Sequence, residues 1–209
     1  MSAPRISTAE QTAAARVGAV LFRYRGFLPV PFLLIPLVVP GGQTRTGWIV
    51  AALFIVAGEA FRLAGVSAAG TVTRRRSRDV QRLVTYGIFS WMRNPLYVGN
   101  FLIWIGFVIG SGVLWFLPIA VLLFALEYSL IVRYEEGVLE SIFGQEYVAF
   151  KQRTPRWIPR PPAEQSSGPH DLGEALRSEV STFAQYAALG VAFCIECFNN
   201  PPDPGATKK

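Results

Sequence analysis

The chain alternates between long apolar stretches and short polar segments that are rich in arginine. The apolar stretches cover residues 17–39, 48–69, 96–109 and 113–132, and a less apolar stretch covers 183–198. A helix needs about 20 apolar residues to cross the roughly 30 Å hydrocarbon core of a bilayer. The pattern therefore predicts an all-α fold, namely a polytopic membrane bundle of four to five transmembrane helices.

The first apolar stretch is irregular. Arg23 and Arg25 lie within it, and four prolines follow, at positions 29, 31, 36 and 40. Prolines are tolerated in membrane helices but kink them, and arginines near one end can extend to the headgroups. A cleaved signal peptide is the alternative, but residues 39–42 form a poor cleavage site. We therefore predict a membrane anchor.

The later stretches predict a helical hairpin followed by a separate C-terminal helix. Gly110-Ser111-Gly112 is a turn signal between 96–109 and 113–132, and Gly106 with Gly110 would allow close helix approach. A short amphipathic helix is expected around Phe143 and Tyr147. One domain is predicted over 1–160, a linker over 161–173, a transmembrane or interfacial helix over 174–198, and a disordered tail over 199–209.

Composition supports a membrane protein and gives it an orientation. The hydrophobic share is 51%, the charged share is 16%, and the net charge is +6. So few charges argue against disorder and against a water-soluble domain. The basic excess fits an anionic membrane surface better than nucleic acid. By the positive-inside rule, the arginine-rich segment 71–93 and the N-terminus are expected in the cytoplasm.

Few residues are suited to metal binding. Cys194 and Cys197 form a single CxxC in an apolar segment, and His170 is the only histidine. A second ligand pair would be needed for a structural zinc site. We therefore predict buried structural thiols and no metal.

Glu59 and Arg62 are an ionisable pair inside the second apolar stretch. They stand three residues apart, so they share one helical face. Ionisable residues at membrane depth normally face the bundle or a wet cavity. The pair is either part of a substrate pocket or an internal ion pair that locks helix packing, and both interpretations stay open.

Two polar clusters flank the hairpin. In the first, Gly87 permits a turn, Pro95 suits a first helical turn, and Gly99 allows close approach to the backbone. A helix N-terminus offers unpaired N–H donors that suit a carboxylate. The second cluster begins at Arg133 and includes Glu135. Because the hairpin returns the chain to its starting side, we expect the clusters to meet and to bind a zwitterionic ligand with an added positive centre.

At these residues the chain resembles the isoprenylcysteine carboxyl methyltransferase and phospholipid methyltransferase superfamily of integral membrane enzymes. The similar segment covers about residues 48–160. It contains Leu83-Val84-Thr85-Tyr86-Gly87-Ile88-Phe89, Arg93-Asn94-Pro95-Leu96-Tyr97-Val98-Gly99, Glu135-Glu136-Gly137-Val138-Leu139, Phe143-Gly144-Gln145-Glu146-Tyr147 and Pro155-Arg156-Trp157-Ile158-Pro159.

The resemblance implies an S-adenosylmethionine-dependent methyltransferase whose lipophilic acceptor reaches a cytoplasmic-side site from the bilayer. Arg133 and Arg156 are expected to orient an anionic acceptor, and Glu59 with Arg62 to contact the substrate. Oligomeric state and the acceptor's identity stay open. The residues expected to contact the cofactor are Gln81, Arg82, Leu83, Val84, Gly87, Phe89, Arg93, Asn94, Pro95, Leu96, Tyr97, Gly99, Glu135 and Glu136.

Two positions depart from the family pattern. Asn94 stands where histidine is usual, and Phe89 where tyrosine is usual. An asparagine amide can still donate and accept hydrogen bonds, but it is not a general base. Two other functions stay open: a nicotinamide-dependent membrane reductase of the sterol reductase type, and a non-catalytic membrane scaffold.

Overall fold

A computed structural model describes residues 13–25, 29–70, 82–163 and 166–199. Throughout these ranges the regular secondary structure is helical, as predicted. In chain order the elements are α1 (Ala13–Tyr24), α2 (Pro29–Val38), α3 (Arg45–Ala69), α4 (Ile88–Trp91), α5 (Pro95–Ser111), a 3₁₀ turn (Leu114–Phe116), α6 (Leu117–Phe143), α7 (Gln145–Arg153) and α8 (Leu172–Asn199).

Within the described ranges, two helical stretches are long and apolar enough to cross a membrane, namely α3 and the run Leu114–Phe143. Thr44 fixes the start of α3, because its Oγ1 accepts a hydrogen bond from the Gly47 amide at 2.9 Å. Both stretches carry large apolar side chains on their outer surfaces. Such faces suit contact with lipid tails better than contact with water. These exposed side chains include Ile49, Leu53, Val56, Leu122 and Leu126.

The first apolar stretch differs from the predicted single anchor. The structure builds it as two helices, α1 and α2, and each is shorter than the about 20 residues that cross a bilayer. Pro29 is the first residue of α2, where its missing N–H costs no helical hydrogen bond. Of the four prolines that were expected to kink one helix, those at 29, 31 and 36 lie in a separate second helix, and Pro40 follows its end.

The predicted close approach of glycine-bearing helices is confirmed between α3 and α5. A Cβ added at Gly106 would lie 2.9 Å from the Ala51 carbonyl oxygen. A Cβ added at Gly58 would lie 2.6 Å from the Gly99 carbonyl oxygen. The two backbones are therefore in direct contact. The turn has fewer residues than predicted, because α5 continues through Ser111 and Gly112 is its C-cap.

An aromatic core joins α5 to α6. The Phe124 and Tyr128 rings stack with their centroids 4.0 Å apart, and Trp104 meets both edge-on. Tyr97 packs on Tyr128 with the ring centroids 4.8 Å apart. Each such pair contributes about 0.5–1.5 kcal/mol beyond the burial of its area. The core thus fixes α5 relative to the first half of α6.

The C-terminal helix packs against the α3–α5 pair. Phe193 is fully buried between Phe107 and Trp48, with ring centroids 6.0 and 5.7 Å away. Helix α8 extends the predicted helix 174–198 by a few residues. Of the two residues expected in a short amphipathic helix, Tyr147 lies in α7, whereas Phe143 is the last residue of α6. The side chains of Cys194 and Cys197 lie outside the described part of the structure, as do residues 200–209 of the predicted tail.

Candidate active site

The loop before α5 brings the first predicted cluster to one end of the bundle. We call residues 82–94 the motif loop. Gly87 has a φ of 59°, which favours glycine and lets the chain turn into α4. Pro95 then begins α5. The Asn94 side chain does not cap this helix; instead its Nδ2 donates to the Arg156 carbonyl oxygen at 3.1 Å. The first-turn amides of α5 therefore have no side-chain cap.

The two predicted clusters meet, as expected. The Tyr97 hydroxyl donates to Glu135 Oε2 at 2.7 Å. Glu136 is buried, and its Oε1 lies 3.3 Å from Arg93 Nη1. Arg156 binds the same carboxylate with both Nε, at 3.1 Å, and Nη2. We call these five residues the motif cluster: Arg93, Tyr97, Glu135, Glu136 and Arg156.

Backbone hydrogen bonds hold the segment after α7 beside the motif loop. The Arg93 amide donates to the Pro155 carbonyl oxygen at 2.9 Å, and the Arg160 amide donates to that of Trp91 at 3.1 Å. Together with the Asn94–Arg156 bond, these contacts form a short ladder. The ladder explains how residues far apart in sequence, Arg93 and Arg156, come to share one carboxylate.

The motif cluster retains unused hydrogen-bonding capacity. The Arg93 side chain is mostly buried, yet its Nε has no hydrogen-bond acceptor within the described ranges, and its Nη1 makes only the ion pair with Glu136. Such buried donors are costly unless a ligand or water satisfies them. Close by on α7, burial raises the pKa of the Tyr147 phenol above its ordinary value. That phenol is therefore neutral near pH 7.

A second polar group lies deeper, between α3, α5 and α8. Arg62 Nη2 donates to both carboxylate oxygens of Glu179, at 2.9 and 2.7 Å. Arg62 Nη1 donates to Asn100 Oδ1, and Arg62 Nε lies 3.4 Å from Glu59 Oε2. The Tyr186 hydroxyl donates to Glu59 at 3.2 Å. We call Glu59, Arg62, Asn100, Glu179 and Tyr186 the Arg62 cluster.

The Arg62 cluster bears on the two interpretations of Glu59 and Arg62. Glu179 is completely buried, and only 13% of the Arg62 side chain is exposed. Both terminal nitrogens of Arg62 are bound by protein acceptors. This geometry favours the internal ion pair that locks helix packing, whereas the predicted substrate contact stays untested.

The remaining predicted site residues fall into three groups. Gln81 lies outside the described residues. Leu83, Val84 and Phe89 are half-buried, Leu96 packs against Gly65 of α3, and Gly99 packs against Arg62. Arg82 and Arg133 are exposed; the Arg82 guanidinium lies 5.8 Å from the Tyr86 ring centre, whereas Arg133 makes no hydrogen bond or ion pair with another described residue.

The half-buried Asn100 and the buried acids Glu127 and Glu179 were not singled out from the sequence. Asn100 directly follows the predicted motif, and Glu179 lies on the C-terminal helix. Glu127 is 7% exposed, and its Oε1 has no hydrogen-bond partner among the described residues. A lone acid within the apolar stretch 113–132 is a signal that could have identified Glu127. Glu179 had no comparable signal, because its helix is only moderately apolar.

Comparison with known families confirms the superfamily that the motifs indicated. The family model described as phospholipid methyltransferase matches residues 46–146. This segment contains α3, the motif loop, α5, α6 and the start of α7. This segment of the chain is therefore similar to the phospholipid methyltransferases. More specifically, the match and the relatives below support its place in the isoprenylcysteine carboxyl methyltransferase and phospholipid methyltransferase superfamily.

Relatives in several organisms share this segment. The chain is 35% identical to the human protein-S-isoprenylcysteine O-methyltransferase over 115 residues, which cover 51% of this chain and 39% of the human one. It is 34% identical to protein-S-isoprenylcysteine O-methyltransferase B of Arabidopsis thaliana, covering 50% and 55% of the two chains. It is 33% identical to the nickel-cobalt-cadmium resistance protein NccN of Alcaligenes xylosoxydans, covering 63% and 61%.

These similarities are partial. The match spans well under two thirds of the length of each of these relatives. No solved structure matches the chain.

Proposed function

We propose that this chain is an S-adenosylmethionine-dependent membrane methyltransferase that acts on a lipophilic acceptor. One observation carries the proposal: the hydrogen bond between Tyr97 and Glu135 joins the two family motifs into a single polar cluster. The human and plant relatives are named for O-methylation of protein S-isoprenylcysteine, and the family model is named for phospholipids. Both names refer to lipophilic acceptors.

The residues present suit the cofactor. S-adenosylmethionine carries a carboxylate and a cationic sulfur. The uncapped first turn of α5 and the buried Nε of Arg93, which has no acceptor among the described residues, offer donors for the carboxylate. Glu135, which Tyr97 orients, offers an acceptor of opposite charge. We assign the motif loop, the start of α5 and Glu135 to holding the cofactor.

Bound there, the cofactor would supply a methyl group on a positively charged sulfur, which an anionic acceptor can take without a general base. The contribution of the protein is then to orient the reactants and to exclude water. Arg156 and Arg93 both form ion pairs with the Glu136 carboxylate, so their positive charges lie beside the proposed site. We propose that Arg156 helps to orient an anionic acceptor; Arg133 has the same proposed role, although its contacts do not support it.

We also propose that the chain spans the membrane several times with the motif cluster on the cytoplasmic side. The support is the positive-inside rule, because basic side chains gather at that end of the bundle. They include Arg82, Arg93, Lys151, Arg153, Arg156 and Arg160. Labelling of a cysteine introduced at exposed Arg153, from each side of sealed vesicles, tests this orientation. Labelling only from the exterior of right-side-out vesicles would contradict it.

The direct test is cofactor binding to the full chain in detergent. Calorimetric titration should show binding of S-adenosylmethionine and S-adenosylhomocysteine, and none of a nicotinamide dinucleotide. Nicotinamide binding without S-adenosylmethionine binding would favour the reductase instead. Incubating membranes with methyl-labelled cofactor then identifies the acceptor: a base-labile methyl ester indicates a carboxylate, whereas a base-stable label on a headgroup indicates an amine.

A matched pair of variants ties the binding to the site. Glu135→Gln keeps the size of the side chain and an oxygen for Tyr97, but removes the charge. Hydrogen bonds to charged groups contribute about 1.5–3 kcal/mol, so we expect cofactor affinity to fall by roughly 10- to 100-fold. Glu140→Gln is the control, because Glu140 is exposed to 44% and pairs with Lys151, which is not a member of the motif cluster. Equal affinities in both variants would contradict the assignment of Glu135.

A further inference from the structure

The chain beyond the family match returns to contact the motif loop. We call residues 166–171 the strap. The Tyr86 hydroxyl donates to the Ala68 carbonyl oxygen at 2.8 Å, which buries the Tyr86 ring at the end of α3. The strap then packs on that ring from Gly168 and from His170, whose ring meets Tyr86 edge-on at 5.6 Å. Tyr86 is thus enclosed between α3 and the strap.

Packing between the strap and the loop leaves no spare room. A Cβ at Gly168 would lie 2.4 Å from the Tyr86 ring, and a Cβ at Gly87 would lie 2.5 Å from His170 Cε1. Real Cβ atoms essentially never approach this closely. The Ser166 hydroxyl also donates to the Thr85 carbonyl oxygen at 3.2 Å. The conformation of residues 85–87 therefore depends on the strap.

Helix α8 makes a second, separate contact with the same region. The strap leads into it, and the Asp171 amide donates to the Ser67 carbonyl oxygen at 3.0 Å. Two turns further on, Glu179 binds Arg62 through both carboxylate oxygens. Arg62 in turn packs on Gly99 and binds Asn100, just after the start of α5. Asn100 Nδ2 lies 3.5 Å from the Tyr128 hydroxyl, and Tyr128 packs on Tyr97.

We propose that this C-terminal segment, residues 166–193, is part of the cofactor site, with Gly168 and Glu179 as positioning residues. Gly168 allows the strap to hold the motif loop, and Glu179 holds Arg62 against the helix that carries Tyr97. One contact thus holds the motif loop and the other holds the start of α5. Both come from residues that lie outside the segment matched by the family model. The inference rests on the proposed function.

Two pairs of full-length variants test the two contacts through the Kd for S-adenosylhomocysteine. Gly168→Ala adds a methyl group against the Tyr86 ring, whereas Gly190→Ala, on the same segment, adds one where no atom lies within 4 Å. Glu179→Gln weakens the Arg62 contact, and Glu174→Gln removes a charge near the start of the same helix. Coupling energies of about 1–3 kcal/mol correspond to changes of about 5- to 150-fold in affinity. We expect the affinity of the first variant of each pair for S-adenosylhomocysteine to fall about fivefold or more. Each control should bind like the wild type.

A purely structural role would lower the unfolding temperature without changing the Kd of the folded protein. The Kd is therefore measured well below the unfolding transition, on variants with wild-type circular dichroism and elution volume. If Gly168→Ala does not fold, Ser166→Ala removes the Thr85 contact from an exposed position and takes its place. Wild-type affinity in both the strap variant and Glu179→Gln would overturn the inference while leaving the proposed function intact. Failure of the wild type itself to bind the cofactor would instead overturn the proposed function.

Discussion

The motif cluster and the Arg62 cluster are built from the same kinds of side chain, yet they use them differently. In the Arg62 cluster both terminal nitrogens of the arginine are bound by acceptors from two other helices. In the motif cluster Arg93 Nε has no hydrogen-bond partner in the described part of the chain, and Arg93 Nη1 makes only an ion pair with Glu136 at 3.3 Å. Arg62 Nε is likewise limited to its 3.4 Å ion pair with Glu59, so the two clusters differ in the terminal nitrogens of the arginine. Terminal nitrogens that are both bound favour one rigid arrangement, whereas a buried donor without an acceptor favours a ligand. The comparison separates a group that holds helices together from one that is suited to binding.

The largest expected effect is on stability, from breaking the Arg62 cluster. Arg62→Met keeps an unbranched side chain but leaves Glu179 buried without its arginine. Removing one partner of a buried ion pair costs about 3–5 kcal/mol of unfolding free energy. Chemical denaturation of the detergent-solubilised protein measures it. Arg153→Met, at an exposed position, is the control and should change little. A loss below about 1 kcal/mol would show that the Arg62 cluster is not a structural lock.

A smaller effect is expected from Glu136 in the motif cluster. Glu136→Gln removes the charge shared by Arg93 and Arg156 but keeps an acceptor for one of them. Hydrogen bonds to charged groups contribute about 1.5–3 kcal/mol, so we expect a stability loss of about that size. The same denaturation experiment measures it. A loss larger than that of Arg62→Met would reverse the comparison between the two clusters.

Removing the Tyr97 hydroxyl should affect binding more than folding. Tyr97→Phe keeps the ring on Tyr128 and deletes only the donor to Glu135. We expect about 1 kcal/mol of lost stability, the net contribution of an ordinary hydrogen bond. We also expect weaker cofactor binding, since Glu135 is no longer oriented. Unchanged cofactor affinity together with lower stability would show instead that Tyr97 stabilises the fold and does not orient Glu135 for binding.

The smallest expected effect concerns Tyr147, beside the motif cluster. Burial raises the pKa of its phenol in the folded state. The unfolded chain therefore loses this proton first, and stability should fall as the pH rises through about 10, the ordinary tyrosine value. Tyr147→Phe removes this contribution, so the stability of the variant should decrease less as the pH rises. Parallel pH curves for the two proteins, measured by thermal unfolding between pH 8 and pH 11, would contradict the prediction.

Local patterns predicted most of the helices and the meeting of the two motifs. The apolar stretch 48–69 and the hairpin turn at Gly112 are visible in the sequence, because hydrophobicity and glycine placement act over a few residues. The hairpin then had to bring Glu135 back toward Tyr97. The division of the first stretch into α1 and α2 was not predicted, although Pro29 was seen.

The contacts of the C-terminal segment could not be predicted. Glu179 and Arg62 are separated by more than a hundred residues, and neither spacing nor hydrophobicity indicates which buried charge pairs with which. The family pattern also gives no help there, since its match ends at residue 146. The same holds for Gly168 on Tyr86. Only the packed structure shows that the predicted linker contacts Tyr86 of the motif loop.

The direct backbone contact at Gly58 and Gly99 limits where a long-chain molecule could enter the bundle from the bilayer. Where the α3 and α5 backbones touch, no acyl or isoprenoid tail fits between the two helices. Separating the helices there would break their close packing. Any lateral doorway for a long-chain molecule must therefore open elsewhere on the circumference of the bundle.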